Sequence, residues 1–319
     1  MFYNAIKTNM KQLTSHILMI EPVAFRYNEE TAKNNYYQKH LETFSAEEVQ
    51  MKALKEFNGF VAKLEQKGVH VHVVQDTISP DTPDSIFPNN WVSFHQDGRV
   101  ALYPMCAENR RDERRPDILD RLQKRGFNIS SIVDFSVYEA EDLYLEGTGS
   151  MILDRQNKIC YAALSIRTDE DIAKQFCNEF DYKLVAFTAN QTHNGERLPI
   201  YHTNVMMCVA DKYVVVCLDT IDDKKEREAL ENAIENSGKE IIEITEEQKG
   251  RFAGNMLQVQ GNEAYLVMSS SAYNSLNKIQ IEKIQSFNPI LHSDINTIEA
   301  CGGGSARCMM AEIFLPYNS

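Results

Sequence analysis

Residues 301–310 read Cys301-Gly302-Gly303-Gly304-Ser305-Ala306-Arg307-Cys308-Met309-Met310 and lead into a further apolar run. Three consecutive glycines allow backbone conformations that other residues avoid, and they let the backbone approach a ligand closely. Cys308 follows, beside Arg307, where we expect this loop to become a strand. A neighbouring cation and exposed backbone N–H groups favour the thiolate, which is the nucleophilic form of cysteine. Cys308 is therefore the first candidate nucleophile, and a glycine turn with a buried structural cysteine is the alternative.

The same local pattern, a short polar turn that runs into an apolar strand, recurs along the chain. Its members are marked by Asn90, Thr148, Asn204, Asn255 and Ala306, at intervals of roughly 50–60 residues. The intervening segments read as further strands and an amphipathic helix. A unit of this size cannot bury its apolar face alone and must pack against its copies. The repeat therefore predicts an α/β fold, a pseudo-fivefold propeller of five units whose polar turns meet at a central pocket.

Composition narrows the class of protein and its partners. Hydrophobic residues make up 43% and charged residues 25% of the chain, values typical of a globular protein. The net charge of −13, from 33 Lys and Arg against 46 Asp and Glu, argues against nucleic acid or an anionic membrane as a partner. The 7 cysteines have no zinc-site spacing and several fall in apolar runs, which favours reduced thiols and a cytoplasmic location.

The turns of the repeat carry the side chains that nucleophilic catalysis needs. A thiol nucleophile requires a base, and it requires groups that hold the substrate carbon against it. His202 accepts and returns a proton near neutral pH, and Glu146 accepts hydrogen bonds from substrate N–H groups. We therefore expect catalytic Cys308, His202 and Glu146 to share one pocket with binding residues from the same turns, namely Asn89, Asn90, Asn204 and Asn255.

These turns resemble those of the guanidine-modifying enzymes of the pentein, or amidinotransferase, superfamily, which includes arginine deiminase. The motifs that carry the resemblance are Glu146-Gly147, His202-Thr203-Asn204 and the turn from Gly302 to Cys308. The resemblance implies one five-bladed α/β propeller domain, here 1–319, with a Cys-His-Glu site and with neither a metal nor an organic cofactor. The segments 87–91 and 104–111 look more closely like the citrulline-hydrolysing branch, the citrulline ureidases.

Two asparagines determine the expected substrate. Arginine-processing members of the superfamily carry aspartates where this chain has Asn90 and Asn204, and carboxylates attract a guanidinium strongly. An amide instead donates to the carbonyl oxygen of a neutral ureido group and accepts from its N–H groups. We therefore expect a cysteine hydrolase that converts citrulline to ornithine, ammonia and carbon dioxide through an S-carbamoyl intermediate on Cys308.

Several alternatives stay open. An arginine or methylarginine deiminase-type hydrolase or an amidinotransferase would use the same nucleophile, and a non-catalytic pentein binding protein represents a different class. Arg167 lies in a Ser-x-Arg-Thr segment that resembles the one gripping the substrate carboxylate in deiminases, and Arg110 or Arg111 is a candidate second contact. The expected partner is a small amino-acid substrate, and the oligomeric state, a homo-oligomer included, is open.

Overall fold

The computed structural model describes residues 10–318, and within them the strands form five three-stranded sheets and one hairpin. The five sheets share one plan, in which a short strand pairs antiparallel with a central strand and the central strand pairs parallel with the third. The strands, grouped by sheet, are β1 (His16–Glu21), β2 (His70–Gln75) and β17 (Ala311–Glu312); β3 (Val92–Phe94), β4 (Arg99–Leu102) and β5 (Ser131–Asp134); β6 (Met151–Asp154), β7 (Ile159–Ala163) and β8 (Lys183–Phe187); β11 (Met207–Val209), β12 (Tyr213–Val216) and β13 (Glu240–Glu243); β14 (Leu257–Gln260), β15 (Ala264–Ser269) and β16 (Ile290–Ser293); and the hairpin β9 (Asn190–His193) with β10 (Glu196–Pro199).

Helices connect the central strand to the third strand of each sheet, because a parallel pair needs a crossover connection. Their starts are encoded locally: the side chains of Ser45, Asp169 and Asp223 accept hydrogen bonds from the first free N–H groups of three of these helices. No helix within residues 10–318 is long and apolar enough to cross a membrane. The helices are α1 (Ala46–Gln66), α2 (Pro116–Lys124), α3 (Gly147–Ser150), α4 (Glu170–Phe180), α5 (Lys224–Asn236), α6 (Glu246–Lys249), α7 (Ser270–Ser275), α8 (Lys278–Gln285) and α9 (Asn296–Gly302).

The short strand that pairs antiparallel with the central strand of each sheet, which we call the first strand, is largely buried. Every residue of β3, β6 and β11 is buried, and their sequences are nearly continuous apolar runs rather than alternating ones. A strand covered on both faces needs such a run, because neither row of side chains meets water. The amphipathic helices, by contrast, bury one stripe each, as α4 does with Ile172, Phe176 and Phe180.

The predicted turns precede these first strands. The turns Pro88–Asn90 and Thr203–Val205 are single 3-10 turns, and Gly147–Ser150 is the one-turn helix α3. The structure corrects the prediction for the last repeat, because the strand there begins at Ala311 rather than at Cys308. The Cys308 N–H group donates to the Ser305 carbonyl at 3.0 Å, so the cysteine lies within the turn. The closure of the five sheets around one axis stays a prediction.

Candidate active site

Cys308 lies at the end of the buried turn that follows α9. Its side chain is nearly inaccessible, with the residue 3% exposed. The Nδ2 amides of Asn204 and Asn255 point at its Sγ atom, at 3.4 and 3.2 Å. Turns of two other sheets therefore supply polar partners to the candidate nucleophile.

The glycines hold this turn in place by close packing. Gly303 has a φ of +61°, the left-handed region that favours glycine. A Cβ atom on Gly302 or Gly304 would approach the Phe87 ring to 2.7 or 2.9 Å, which is too close. The Tyr201 hydroxyl donates to the Gly303 carbonyl at 2.6 Å. Gly302 and Gly304 are therefore required by packing, because only a residue without a Cβ atom lets the backbone lie against the Phe87 ring.

His202 and Glu146 form a buried pair beside this turn, with 2.7 Å between Nε2 and Oε2. Burial opposes ionisation of Glu146, but Arg167, His202 and Arg110 outweigh it and lower the pKa of that carboxyl well below its usual range. Burial also lowers the pKa of His202 to about 4, against the opposing attraction of Glu146. At neutral pH the pair is therefore a carboxylate and a neutral imidazole.

Asn90 presents an amide donor whose direction is fixed by a neighbour. Arg110 Nη1 donates to Asn90 Oδ1 at 2.9 Å, so Nδ2 must point the other way. This Nδ2 atom is buried without a hydrogen-bond partner within residues 10–318, and so is Oδ1 of Asn204. A Cβ atom on Gly149 would clash with both Asn90 Nδ2 and His202 Nδ1. The site therefore holds one unpaired donor and one unpaired acceptor, and buried polar atoms of this kind normally have partners.

Arg167 lines the same cavity as Cys308. Its Nε and Nη2 atoms both donate to Asn34 Oδ1, and Nη2 also donates to the Thr31 carbonyl at 3.0 Å. Nη1 lies 3.5 Å from Glu146 Oε2. A planar fork of this kind matches a carboxylate, so the Asn34 amide occupies the position that a substrate carboxylate would take.

Asn89, Asn204 and Arg111, three of the predicted binding residues, are not among the residues that line the cavity, and neither is Glu146. The Asn89 side chain is fully buried outside it, and neither of its amide atoms has a partner among the described residues. Arg111 is partly exposed, with Nε 3.2 Å from the Met105 carbonyl and 3.6 Å from Glu139 Oε2. Arg110 lines the cavity instead and pairs with Glu113 at 2.8 Å. The 3-10 turn Glu108–Glu113 points one arginine inward and its neighbour outward.

Asp84 lines the cavity and was not predicted from the sequence. Its Oδ2 atom accepts from Asn28 Nδ2 at 2.8 Å and from Thr31 Oγ1 at 2.9 Å, whereas the buried Oδ1 atom has no partner within residues 10–318. Burial raises the pKa of Asp84, and Arg110 and Arg167 oppose this shift. Asp84 lies before the Pro88 turn, outside the repeated pattern, so no sequence signal marked it.

The cavity beside Cys308 is small, with a volume of about 10 Å³, room for about one water molecule. Part of its lining comes from the segment 22–45, which we call the covering segment; Thr31 and Asn35 are its contributions. The Asn35 amide donates to the Gly302 and Gly303 carbonyls at 3.4 and 3.3 Å. A ligand the size of an amino acid therefore requires the lining residues to move apart, and the covering segment supplies part of that lining.

Comparison with solved structures supports the fold. Apo ArgZ, an arginine dihydrolase from the ornithine–ammonia cycle in cyanobacteria, matches with a TM-score of 0.73 and 17% identity over 95% of this chain and 41% of its own. AgrE in complex with ornithine and NAD+ matches with a TM-score of 0.73 and 18% identity, over 95% of the present chain and 40% of the AgrE chain. The present chain therefore spans about two-fifths of ArgZ and AgrE. A dimethylarginine dimethylaminohydrolase variant that carries an S-methyl-L-thiocitrulline adduct matches with a TM-score of 0.62 and 16% identity, over 94% of the present chain and 100% of the dimethylaminohydrolase chain.

Comparison with sequences gives the family. A search of curated proteins found no match. The family model described as N,N dimethylarginine dimethylhydrolase, eukaryotic, matches residues 21–315, which include every cavity-lining side chain described above. The chain therefore belongs to this family of the pentein superfamily of guanidino-modifying enzymes.

Proposed function

We propose that the enzyme hydrolyses citrulline to ornithine, ammonia and carbon dioxide. The observation that carries this proposal is the unpaired donor of Asn90, which lines the cavity beside Cys308, together with the unpaired acceptor of Asn204, whose amide contacts the Cys308 sulfur. A ureido group has a carbonyl oxygen that accepts and N–H groups that donate, so it satisfies both. A guanidinium has donors only and would leave the Asn90 N–H group facing another N–H group, at a cost of about 1–3 kcal/mol.

The charge distribution supports a neutral reacting group. Glu146 is the carboxylate beside His202, and its Oε2 atom already lies 3.5 Å from Arg167 and 4.0 Å from Arg110. Its negative charge is therefore largely compensated before a substrate arrives. Asp84, which does line the cavity, has a free Oδ1 atom suited to an α-ammonium group. Arg167 would hold the α-carboxylate after it displaces Asn34.

In the proposed mechanism, Cys308 attacks the ureido carbon. Neutral His202 takes the thiol proton and returns it to the leaving δ-nitrogen, so the carbon–nitrogen bond breaks as ornithine departs. The carbonyl oxygen keeps its hydrogen bond to Asn90 while charge develops on it. Water then attacks the S-carbamoyl group and His202 accepts one of its protons. The carbon–sulfur bond breaks, His202 returns the proton to the Cys308 sulfur, and carbamic acid leaves and ionises to carbamate. Carbamate decomposes to ammonia and carbon dioxide.

A guanidino amino acid such as arginine is the second candidate substrate. Two observations favour it: the family description refers to dimethylarginine, and ArgZ is described as an arginine dihydrolase. The arrangement of Cys308, His202 and Glu146 suits both substrates. The two reactions differ only in the leaving group and in whether the carbon bound to sulfur carries an oxygen or a nitrogen. An amidinotransferase would need a second amine in place of water. Family membership argues against the non-catalytic alternative.

The two candidates are separated by their products. We expect purified enzyme incubated with citrulline to release ornithine and ammonia, and incubation with arginine to give at least tenfold lower kcat/KM, about 1.4 kcal/mol of discrimination. Amino-acid analysis after a timed quench measures both reactions, with heat-inactivated enzyme as the control. Citrulline accumulating from arginine, without ornithine from citrulline, would reject the proposed substrate and retain the hydrolase.

The acid limb of the pH profile tests the role of His202. His202 is neutral above its lowered pKa of about 4, and as pH falls through that value it protonates and no longer accepts the Cys308 proton. We therefore expect kcat/KM to fall on the acid side with a midpoint near 4 rather than near the ordinary histidine value of about 6.5. Circular dichroism at each pH identifies any loss that is due to unfolding. A midpoint near 6.5 with the fold intact would contradict this role.

The proposal extends to the architecture that assembles the site. A cavity at another place in the fold is lined by Gln96, Gln156 and Asp211, from turns between the first and central strands of three sheets, by Gln260 at the end of β14, and by residues that follow β17. Cys308, His202 and Asn90 come from turns at the other ends of three first strands. Both sets agree with five sheets arranged as propeller blades around one axis, in a single domain. We also retain the cytoplasmic location as part of the proposal.

A further inference from the structure

A second, much larger cavity lies beside the covering segment. Its volume is about 740 Å³, in the range of small-molecule sites. Tyr37 and Lys39 of the covering segment form one side, and Gln191 of β9 and Lys249 of α6 form another. Cys308 is not among its lining residues, so it is distinct from the catalytic cavity.

Lys249 is a buried cation at this cavity without an anionic partner. The residue is 3% exposed, and its Nζ atom is 3.0 Å from both Tyr37 Oη and Gln191 Oε1. No Asp or Glu oxygen lies within 4.0 Å of Nζ among residues 10–318. Burial lowers the pKa of Lys249, with Cys217 and Glu246 opposing the shift. A buried ammonium group normally has a counter-ion, and this one leaves an N–H bond unused.

Gln191 provides a second unused donor next to the first. Its Oε1 atom accepts from Lys249, which fixes the amide orientation and turns Nε2 away. This Nε2 atom is buried without a partner within residues 10–318, on a residue that is more than nine-tenths buried. One ammonium and one amide donor on adjacent side chains match the two oxygens of a carboxylate.

The other charges of the cavity limit the ligand to a small anion of low charge. Arg251 lies exposed at the rim. Three carboxylates also line the cavity: Glu246 is paired with Arg197 at 2.8 Å, Glu299 accepts from Ser305 at 2.5 Å, and Glu247 is exposed. These carboxylates would repel a phosphate dianion more strongly than a monocarboxylate. They also leave room for the ammonium group of an amino acid.

We propose that this cavity binds a small monocarboxylate, free or as part of an amino acid, with its oxygens on Lys249 Nζ and Gln191 Nε2. The bound ligand would act on the covering segment, because Tyr37 contacts Lys249 directly and the Lys39 N–H group donates to the Ala300 carbonyl of α9 at 2.6 Å. When the ligand is bound in this cavity, it would hold the covering segment against α6 and α9 and slow the opening of that segment over Cys308. We therefore expect the ligand to lower kcat and KM together.

Acetate is the probe, compared with sodium chloride at equal ionic strength. At ten times its Kd, acetate is expected to raise the Tm of the wild-type enzyme by about 2 °C more than chloride does. Lys249→Met removes the ammonium group, and Gln191→Glu supplies an internal carboxylate that pairs with it. Both variants are expected to lose the acetate-specific shift, and Gln191→Glu is expected to have a higher Tm than wild type without acetate.

Two results would overturn this inference. The first is the same acetate-specific shift in wild type and both variants, which would place the anion elsewhere, for example on Arg167. The second is no acetate-specific shift in the wild-type enzyme. If Lys249→Met misfolds, Gln191→Glu still decides the test, because it adds an ion pair and deletes no buried contact. The measurement needs no substrate, so its failure is separate from failure of the citrulline proposal.

Discussion

Replacing Cys308 by alanine is expected to lower kcat by about 10⁴-fold or more, since no covalent intermediate then forms. The two amides that point at Sγ lose their acceptor, but Asn255 keeps its bonds to the Asn204 carbonyl and the Arg307 N–H group, so the fold is retained. Steady-state rates measure the loss. Mass spectrometry of acid-quenched wild-type enzyme is expected to find one carbamoyl group on the peptide that contains Cys308, and none in Cys308→Ala.

Cys301→Ala is the matched control for this experiment. Cys301 is as buried as Cys308 and lies seven residues earlier, but it belongs to α9 and does not line the catalytic cavity. We expect Cys301→Ala to keep kcat within about twofold and to lose about 1 kcal/mol of stability at most. Substantial turnover by Cys308→Ala, or a carbamoyl group found on Cys301, would end the proposed covalent mechanism.

Replacing Asn90 by aspartate is expected to reverse the preference of the site. The new carboxylate still accepts from Arg110, so the turn keeps its conformation. The donor to the ureido oxygen becomes an acceptor, which lowers kcat/KM for citrulline by about 10–100-fold, equivalent to about 1–3 kcal/mol. The added negative charge attracts a guanidinium, so arginine is expected to inhibit about tenfold more tightly. Rates on citrulline at several arginine concentrations give both quantities.

Asn90→Ala separates the lost donor from the added charge. It removes Nδ2 without introducing a carboxylate, so citrulline turnover is expected to fall, while inhibition by arginine tightens less than in Asn90→Asp because only the opposing N–H group is lost. If Asn90→Asp and Asn90→Ala behave alike toward arginine, the neutral-pocket argument is wrong. If Asn90→Asp keeps full kcat/KM for citrulline, Asn90 does not bind the ureido oxygen.

The repeated units were predictable from the sequence because each one carries a strong local signal. A polar turn beside Asn90, Thr148, Asn204 or Asn255 runs into an apolar segment, and the structure has a first strand after each turn. The position of Cys308 was less predictable, since a buried turn and a buried strand are equally apolar and periodicity does not separate them. The strand after Cys308 therefore starts three residues later than expected.

The candidate site was predictable only where its residues share the repeat. Cys308, His202, Glu146 and Asn204 lie at corresponding turns, and the structure brings them together. Asp84 and the covering segment lie in irregular chain whose packing depends on distant residues. The choice between Arg110 and Arg111 depended on the direction of one 3-10 turn, and adjacent arginines give no sequence signal for it.

The pairing of β17 with β1 has a consequence for biosynthesis. Ile17 and Leu18 of β1 pair with Glu312 and Ala311, so strands from opposite ends of the described chain complete one sheet. During translation β1 emerges before β17, so one edge of β1 stays unpaired until residues 311–312 have been synthesised. The reactive turn of Cys308 is synthesised immediately before β17. A chain that stops before residue 308 therefore has neither the turn of Cys308 nor the strand that completes this sheet.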